Sequence, residues 1–233
     1  MSITLDLHNH TFKYTPDHPQ YHKELENLYW QIVQYPYIDG FAITNYHDIS
    51  LAMVLAQKLP TRVIVGCEYR VLEDENSYVQ VVVLGVNARL HTLLLRARLR
   101  GIKYFSTILR EQQIPYFLAR LGDGLPGLEI DAVATLDFFL SYFDAIQVIN
   151  SAVQESKFAS RLASYYNLAV IGGSDYLICD SVRRAYTEAA SATNIKEFWQ
   201  ALFNKQVLAR LTPEFLPDTP APSLWNLGKK QYK

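Results

Sequence analysis

The segment that decides the fold is the stretch Asp6-Leu7-His8-Asn9-His10-Thr11, at the end of the first predicted strand. Side chains at positions i and i+2 of a strand point to the same face, so His8 and His10 project together. Two imidazoles on one face are a common way to bind a single metal ion. Asp6 points to that face as well, where its carboxylate could orient a ligand. The stretch therefore predicts a strand that ends in two candidate metal ligands.

The composition is that of an ordinary globular protein. The chain has 233 residues, of which 49% are hydrophobic and 19% are charged, enough for one domain with a sizeable core. The net charge of -1 does not indicate a nucleic-acid partner. Cys67 and Cys179 show no CxxC spacing and no disulfide framework, which favours a reduced, cytoplasmic setting. We expect a soluble protein without a signal peptide or membrane partner, because the first strand starts near Ile3 and no apolar run could span a bilayer.

Predicted strands and helices alternate along most of the chain. After the first strand, β-branched and apolar runs predict strands near 41–44, 62–68, 78–86, 114–119, 145–149 and 168–171. Apolar residues at helical spacing predict helices near 21–35, 48–59, 90–100, 104–112, 136–143, 154–166 and 195–205. Continuous apolar runs such as 81–84 indicate strands buried on both faces, as in a parallel sheet. Seven such strands predict an α/β fold with a closed or nearly closed barrel.

The C-terminal segment differs in composition from the rest. Four prolines and scattered polar residues follow Leu211, and the chain ends in Lys-Lys-Gln-Tyr-Lys with three positive charges. Such a segment is typical of a solvated tail lying on the surface. We therefore predict one barrel domain over residues 1–210 and a C-terminal surface tail over residues 211–233.

Polar residues follow several of the predicted strands. In parallel α/β barrels, the C-terminal ends of the strands gather the chemistry at one face. Two imidazoles and two carboxylates are a sound ligand set for zinc, manganese or iron. The candidate site residues at these strand ends are His8, His10, His47, Glu68, Arg120 and Asp175.

The same segments resemble those of the polymerase and histidinol phosphatase (PHP) family. They follow the family's order and cover roughly residues 3–205. The resemblance implies a distorted (β/α)7 TIM-like barrel of PHP type, up to three metal ions, and phosphoester hydrolysis as the usual activity. The matching segments are Asp6-Leu7-His8-Asn9-His10-Thr11, Asp39-Gly40-Phe41-Ala42-Ile43-Thr44, Gly66-Cys67-Glu68, Asp144-Ala145-Ile146-Gln147-Val148-Ile149-Asn150, Gly173-Ser174-Asp175 and Ala185-Tyr186-Thr187-Glu188.

Several positions depart from the family's pattern. The family usually has histidine where this chain has Tyr46, Arg120 and Leu177, and often where it has Val82; a usual glutamate is Gln147. The resemblance implies that His8, His10, Glu68 and Asp175, which remain, form the first shell of one particular metal. The residues that hold the second and third ions are the ones lost. We therefore expect one divalent ion, zinc, manganese or iron, in a mononuclear site.

The other polar residues at the strand ends allow two interpretations each. His47 could replace the ligand missing at Tyr46, or it could cap the following helix. Arg120 could bind a phosphate oxygen, or it could pair with Glu68 in an internal salt bridge. A carboxylate that follows a buried strand, such as Glu68, needs either a metal or an arginine as its partner.

The leading hypothesis is a metal-dependent, phosphoesterase-like hydrolase with a reduced metal site and a small phosphorylated substrate. In it, Arg120 and His47 take part in catalysis beside the metal. The alternative is a catalytically inactive PHP-like scaffold or binding domain whose pocket residues pair internally. A third hypothesis is a mononuclear amidohydrolase-type enzyme, against which Glu68 after the third strand, the seven-strand count and the lack of later histidine ligands argue. Nothing in the sequence indicates an oligomeric state.

Overall fold

The computed structural model describes residues 2–12, 14–73, 78–119, 133–150, 154–177 and 184–212, and within them it contains eleven strands and seven helices. The strands are β1 (Ile3–His10), β2 (Gly40–Ile43), β3 (Val63–Leu72), β4 (Tyr78–Leu84), β5 (Tyr116–Leu118), β6 (Ala145–Asn150), β7 (Gln154–Glu155), β8 (Ala169–Gly172), β9 (Tyr176–Leu177), β10 (Ala185–Ala189) and β11 (Leu208–Leu211). The helices are α1 (Tyr21–Gln34), α2 (Ser50–Lys58), α3 (Ala88–Ala97), α4 (Ile102–Glu111), α5 (Val133–Leu140), α6 (Lys157–Tyr165) and α7 (Ile195–Phe203). None of the helices in the described part of the chain is long and apolar enough to cross a membrane.

The strands form one sheet that curves into a nearly closed barrel, as predicted. The sheet runs in the order β11-β10-β1-β2-β3-β4-β5-β6-β7, and β8 and β9 add to it by pairing with β6 and β1. Across the seam, the hydroxyl of Thr187 in β10 donates to the carbonyl of Gly172 in β8 (2.9 Å) and accepts from its N–H (3.0 Å). Among the described residues no strand ladder joins β8 to β10, so a side chain makes the link between them.

The expectation of parallel strands is wrong for β4, which runs antiparallel to both β3 and β5. The apolar run 81–84 is fully buried, but its alternate residues pack into two different clusters, one on each face of the sheet. Burial on both faces explains the apolar run and says nothing about strand direction. The connection from Leu72 to Tyr78 is too short for a parallel crossover, which takes a dozen or more residues.

Four strands were not predicted: β7, β9, β10 and β11. Both β7 and β9 have two residues, too few to show an alternating pattern. Strand β10 is antiparallel to β1 and to β11, so the sheet is mixed. Helix α6 begins at Lys157, three residues later than predicted, because 154–155 belong to β7 and the Ser156 hydroxyl caps the helix by accepting from the N–H of Ala159. Strand β11 extends to Leu211, past the predicted domain boundary; residues 213–233 of the predicted tail lie outside the described residues.

The close approach of β8 to β1 positions the candidate site. A Cβ on Gly173 would lie 2.6 Å from the Cβ of His8, and a Cβ on Gly172 would lie 2.2 Å from the carbonyl oxygen of Tyr186. These distances leave no room for a side chain, so glycine is needed for the backbones to meet. The residues that follow, Ser174 and Asp175, are thereby brought against the first strand.

Candidate metal centre

Four of the predicted site residues meet at one end of the barrel: His8, His10, Glu68 and Asp175. One ligand atom from each lies within 4.8 Å of the other three. The Nε2 atoms of His8 and His10 lie 3.0 Å and 3.1 Å from Oε2 of Glu68, and each lies 3.5 Å from Oδ1 of Asp175. Ligands of zinc bond at about 2.0–2.2 Å, so atoms on one ion lie roughly 3–4 Å apart. The spacing of the four atoms fits a single ion.

Burial and unpaired atoms also fit a cation. The side chains of His8 and Glu68 are 0% exposed, that of Asp175 is 5% exposed and that of His10 is 15% exposed. Nε2 of His10 is near Glu68 but is not aligned for a hydrogen bond, and Oε1 of Glu68 has no hydrogen-bond partner either. Buried polar atoms are rarely left unpaired. A bound divalent ion would satisfy both atoms.

Gln147 on β6 orients the ring of His8. Its Nε2 donates to the carbonyl oxygens of Gly173 (2.7 Å) and Ile149 (3.4 Å), which turns its Oε1 toward Nδ1 of His8 at 2.8 Å. An amide oxygen can only accept, so Nδ1 of His8 carries a proton and donates it. The lone pair of neutral His8 is therefore on Nε2, the atom that faces Glu68 and Asp175. Partners of this kind fix the tautomer and orientation of metal-ligating histidines.

Opposite charges shift the pKa values of His8 and Glu68 in opposite directions. Burial by itself would lower the pKa of His8, but the carboxylates of Asp175 and Glu68 raise it to about 9. Burial by itself would raise the pKa of Glu68, but the charge of His8, its hydrogen bond and the nearby ring of His10 lower it to about 2. Without a metal, the pair is therefore a buried ion pair at neutral pH. A bound metal would require His8 to give up the proton on Nε2, and Glu68 would supply a negative charge to the ion.

Asp175 is held in place through its backbone. Its φ angle is 52°, in the left-handed region that residues other than glycine seldom adopt, and its N–H donates to the carbonyl of His8 (2.7 Å). The preceding residue, Ser174, donates from its N–H (2.8 Å) and its hydroxyl (2.5 Å) to the carboxylate of Asp6. Such strained conformations persist where the surroundings impose them, and they occur often at functional sites.

Asp6 binds Ser174, the residue before Asp175, and does not orient an imidazole as the sequence suggested. Its carboxylate faces Ser174 and lies 3.6 Å from the guanidinium of Arg184, whose Nη1 also donates to Oδ1 of Asn9 (2.9 Å). Burial raises the pKa of Asp6, although the charge of Arg184 and the bonds from Ser174 act to lower it. The role that the sequence assigned to Asp6 belongs to Gln147.

Apolar and aromatic side chains line the rest of the site. Val82 on β4 stands directly opposite Glu68, and Phe117 on β5 stands directly opposite Val82, so all three share one face of the sheet. The ring of Phe117 lies edge-on to His8 at 6.3 Å, and the ring of Tyr46 stacks on His10 at 4.8 Å with an interplanar angle of 20°. An apolar floor of this kind strengthens electrostatic interactions in the site above it.

The two residues predicted to act in catalysis are not part of the four-residue cluster as described. The ring of His47 packs against Tyr69, the neighbour of Glu68 that faces the other side of β3. Burial, with the charges of Arg98 and Arg70, lowers the pKa of His47 to about 4. Arg120 lies outside the described residues. A catalytic role for either residue stays a prediction, without support from the geometry in the case of His47.

Sequence reasoning also missed residues near the site. Gln147 was noted only as a departure, and Arg184 and Arg70 were given no role. A signal for Gln147 was present, because a lone amide interrupts the apolar run of β6, and a buried amide needs partners. No comparable signal marks Arg184, whose partners Asp6 and Asn9 are more than 170 residues away in the chain.

Comparison with known proteins supports the fold. No family model and no curated protein matches the sequence. Among solved structures, a two-domain protein from Bacteroides vulgatus with a predicted PHP-like metal-dependent phosphoesterase matches with a TM-score of 0.60 and 14% identity over 90% of this chain. This chain spans 65% of that protein's length. PsfC from Pseudomonas syringae matches with a TM-score of 0.56 and 17% identity, over 91% of this chain and 92% of PsfC. A proposed metal-dependent phosphoesterase from Bifidobacterium adolescentis matches with a TM-score of 0.51 and 13% identity, over 88% and 96% of the two chains.

The fold is therefore a distorted TIM-like barrel of the PHP type, as the sequence resemblance predicted. At one end of the barrel lies the four-residue candidate metal centre.

Proposed function

We propose that this protein is a metal-dependent hydrolase of phosphate esters with one metal ion bound by His8, His10, Glu68 and Asp175. The observation that carries the proposal is the convergence of one ligand atom from each of these residues within 4.8 Å, while Nε2 of His10 and Oε1 of Glu68 are buried and unpaired. The solved structures described as PHP-like phosphoesterases support the reaction class. The proposed substrate is a small phosphorylated molecule.

The donor set suits zinc, manganese or iron, since imidazole and carboxylate ligands are common to all three. When bound, such an ion supplies Lewis-acid polarisation of a phosphoryl oxygen and activates water for attack on phosphorus. Gln147 keeps the proton of His8 on Nδ1, so Nε2 can bind the ion. Glu68 stays ionised because its pKa is about 2, and it balances the charge of the ion. Val82, which stands opposite Glu68 where the family often has a histidine, supports a single ion.

The experiment is metal analysis of the purified protein, before and after incubation with zinc, manganese or iron. We expect about one ion per chain, and hydrolysis of p-nitrophenyl phosphate that depends on it. His10→Ala and Glu68→Gln should lose both metal and activity. His18→Ala is the matched control, because His18 is an exposed histidine of the first loop. Activity that His10→Ala leaves unchanged would assign the hydrolysis to a contaminant or to another site.

The second candidate is a catalytically inactive PHP-like scaffold or binding domain. One observation favours it: His8 and Glu68 form a hydrogen-bonded ion pair at 3.0 Å, in which each charge is balanced by the other side chain. This candidate predicts no stoichiometric metal under any loading condition. It also predicts that Glu68→Gln lowers the stability of the protein by removing the charge that His8 faces.

A further inference from the structure

Arg70 projects from the same face of β3 as the candidate ligand Glu68. The two residues are two positions apart on the strand, and residues at i and i+2 share a face, about 7 Å apart. The register of the β3–β4 hairpin agrees: Glu68 stands opposite Val82, and Arg70 stands opposite Gln80, the next residue on that face of β4. Arg70 is therefore the next side chain along the strand from the metal centre toward solvent, where it is exposed.

Two tyrosine rings hold the guanidinium of Arg70. Its Cζ lies 5.0 Å from the ring centroid of Tyr46 and 5.1 Å from that of Tyr78. The hydroxyl of Tyr46 accepts a hydrogen bond from Nε2 of Gln80 (3.0 Å), which anchors that ring. Tyr46 is also the ring that stacks on His10 at 4.8 Å. The distances of 4.8 Å and 5.0 Å are both measured to the centroid of the Tyr46 ring, so their sum is an upper limit. Cζ of Arg70 therefore lies at most about 10 Å from the centroid of the His10 ring.

The charge of Arg70 is available to a ligand. No carboxylate of the described residues forms a salt bridge with it. Two other exposed arginines do have such partners: Arg110 lies 4.0 Å from Asp144, and Arg210 lies 3.1 Å from Glu188. A guanidinium that rests on aromatic rings keeps its N–H donors at the edge of its plane, where they can bind two oxygens of a phosphate. The rings reduce the entropy lost when it does so.

We propose that Arg70 binds the phosphate of the substrate at the rim of the metal centre, and that Tyr46 and Tyr78 position it for this contact. The assignment rests on the proposed function for the identity of the ligand as a phosphate ester. It deepens that function by naming a residue that binds the phosphate. Arg70 has in this proposal a role of the same kind as the one predicted for Arg120, which stays a prediction.

The test measures the binding of inorganic phosphate, the product of hydrolysis, by calorimetry at constant ionic strength. The proteins are the wild type, Arg70→Gln, Arg70→Lys and the control Arg161→Gln, each with and without manganese. Arg161 is an exposed arginine of α6, outside the barrel, so its variant loses the same charge elsewhere. We expect Arg70→Gln to weaken phosphate binding by about tenfold or more, since a hydrogen bond to a charged group is lost. Arg70→Lys should be intermediate, and Arg161→Gln should match the wild type.

With p-nitrophenyl phosphate, Arg70→Gln should raise KM and leave the metal content unchanged, which a loss of folding would not do. Equal phosphate binding by Arg70→Gln and wild type overturns the inference, as does a lack of phosphate binding by the wild type in both metal states. Two outcomes distinguish a failure of this inference from a failure of the proposed function. If no metal binds but phosphate binding still depends on Arg70, the anion site stands and the hydrolase does not. If metal and turnover are present but Arg70→Gln does not change phosphate binding, the hydrolase stands and the anion site at Arg70 does not.

Discussion

Replacing Arg184 by Met should destabilise the protein by about 3–5 kcal/mol, the usual cost of removing one partner from a buried ion pair. Nη1 of Arg184 lies 3.6 Å from Oδ2 of Asp6, and the two side chains are 3% and 0% exposed. Exposed ion pairs contribute only about 0–1 kcal/mol, because water solvates each charge when the other is removed. Asp6 has no such access to water. Burial already raises its pKa with Arg184 present, so the loss of Arg184 leaves a buried carboxyl that is costly to ionise.

The assay is urea denaturation of the metal-free protein followed by circular dichroism, with thermal unfolding as a second measure. A domain of this size loses roughly 2–4 °C in Tm for each kcal/mol, so the expected drop is roughly 6–20 °C. Arg161→Met, at an exposed position of α6, should leave the stability unchanged within about 0.5 kcal/mol.

A double-mutant cycle isolates the pair. Asp6→Asn removes the buried charge while keeping an oxygen that can accept from Ser174. The double variant Asp6→Asn/Arg184→Met should therefore be more stable than the sum of the single losses implies, by about 1–3 kcal/mol. The reasoning is refuted if Arg184→Met costs less than about 1 kcal/mol, or if the single losses simply add.

Three further predictions concern the metal centre and the seam. Gln147→Leu should weaken metal binding by about 10–100-fold, because Nδ1 of His8 loses its acceptor. Gln147→Glu keeps an acceptor and should retain or tighten metal binding. Equal metal affinities of Gln147→Leu and the wild type, measured by competition with a chelator, would contradict this role. Metal affinity should fall as the pH falls below about 9, by about tenfold per unit for one displaced proton, because the raised pKa of His8 keeps Nε2 protonated at neutral pH. A pH-independent affinity between pH 6 and pH 8 by calorimetry would mean that His8 is not a ligand. Gly172→Ala should destabilise the fold by about 1–3 kcal/mol or more in urea denaturation, because its Cβ would lie 2.2 Å from the carbonyl oxygen of Tyr186. If the variant is as stable as the wild type, the seam between β8 and β10 can open without cost.

The sequence pattern picked out the four candidate ligands but not their supporting residues. His8 and His10 follow from strand periodicity, and Glu68 and Asp175 follow from their positions at the ends of predicted buried strands, although β3 continues past Glu68 to Leu72. These are local properties, which a linear pattern can report. Gln147 could have been assigned from the same kind of evidence, since a buried amide within an apolar strand must be hydrogen-bonded. Its partner could not, because His8 is 139 residues away in the chain.

Strand direction shows a limit of pattern reading. An apolar run reports how many faces of a strand are buried, and β4 is buried on both, so its pattern is that of a parallel strand although it is antiparallel. The short connection from β3 was the better evidence, because a parallel strand cannot be reached in so few residues. The two-residue strands β7 and β9 had no pattern to read, since their pairing depends on the strand beside them.

By itself, the sequence determined the α/β class, the PHP-type barrel and the four candidate ligands, because periodicity and the order of motifs are properties of the linear chain. The tertiary structure decided which residues contact those ligands or lie near them. Gln147 is hydrogen-bonded to His8, and Asp6 binds Ser174 and lies beside Arg184. Arg70 lies between two tyrosine rings next to the site. It also decided that the ring of His47 packs against Tyr69, the neighbour of Glu68 that lies on the opposite face of β3. The physical reason is the same in each case. Hydrogen bonds, ion pairs and ring contacts between distant segments depend on how the barrel closes, and no local pattern of residues encodes that geometry.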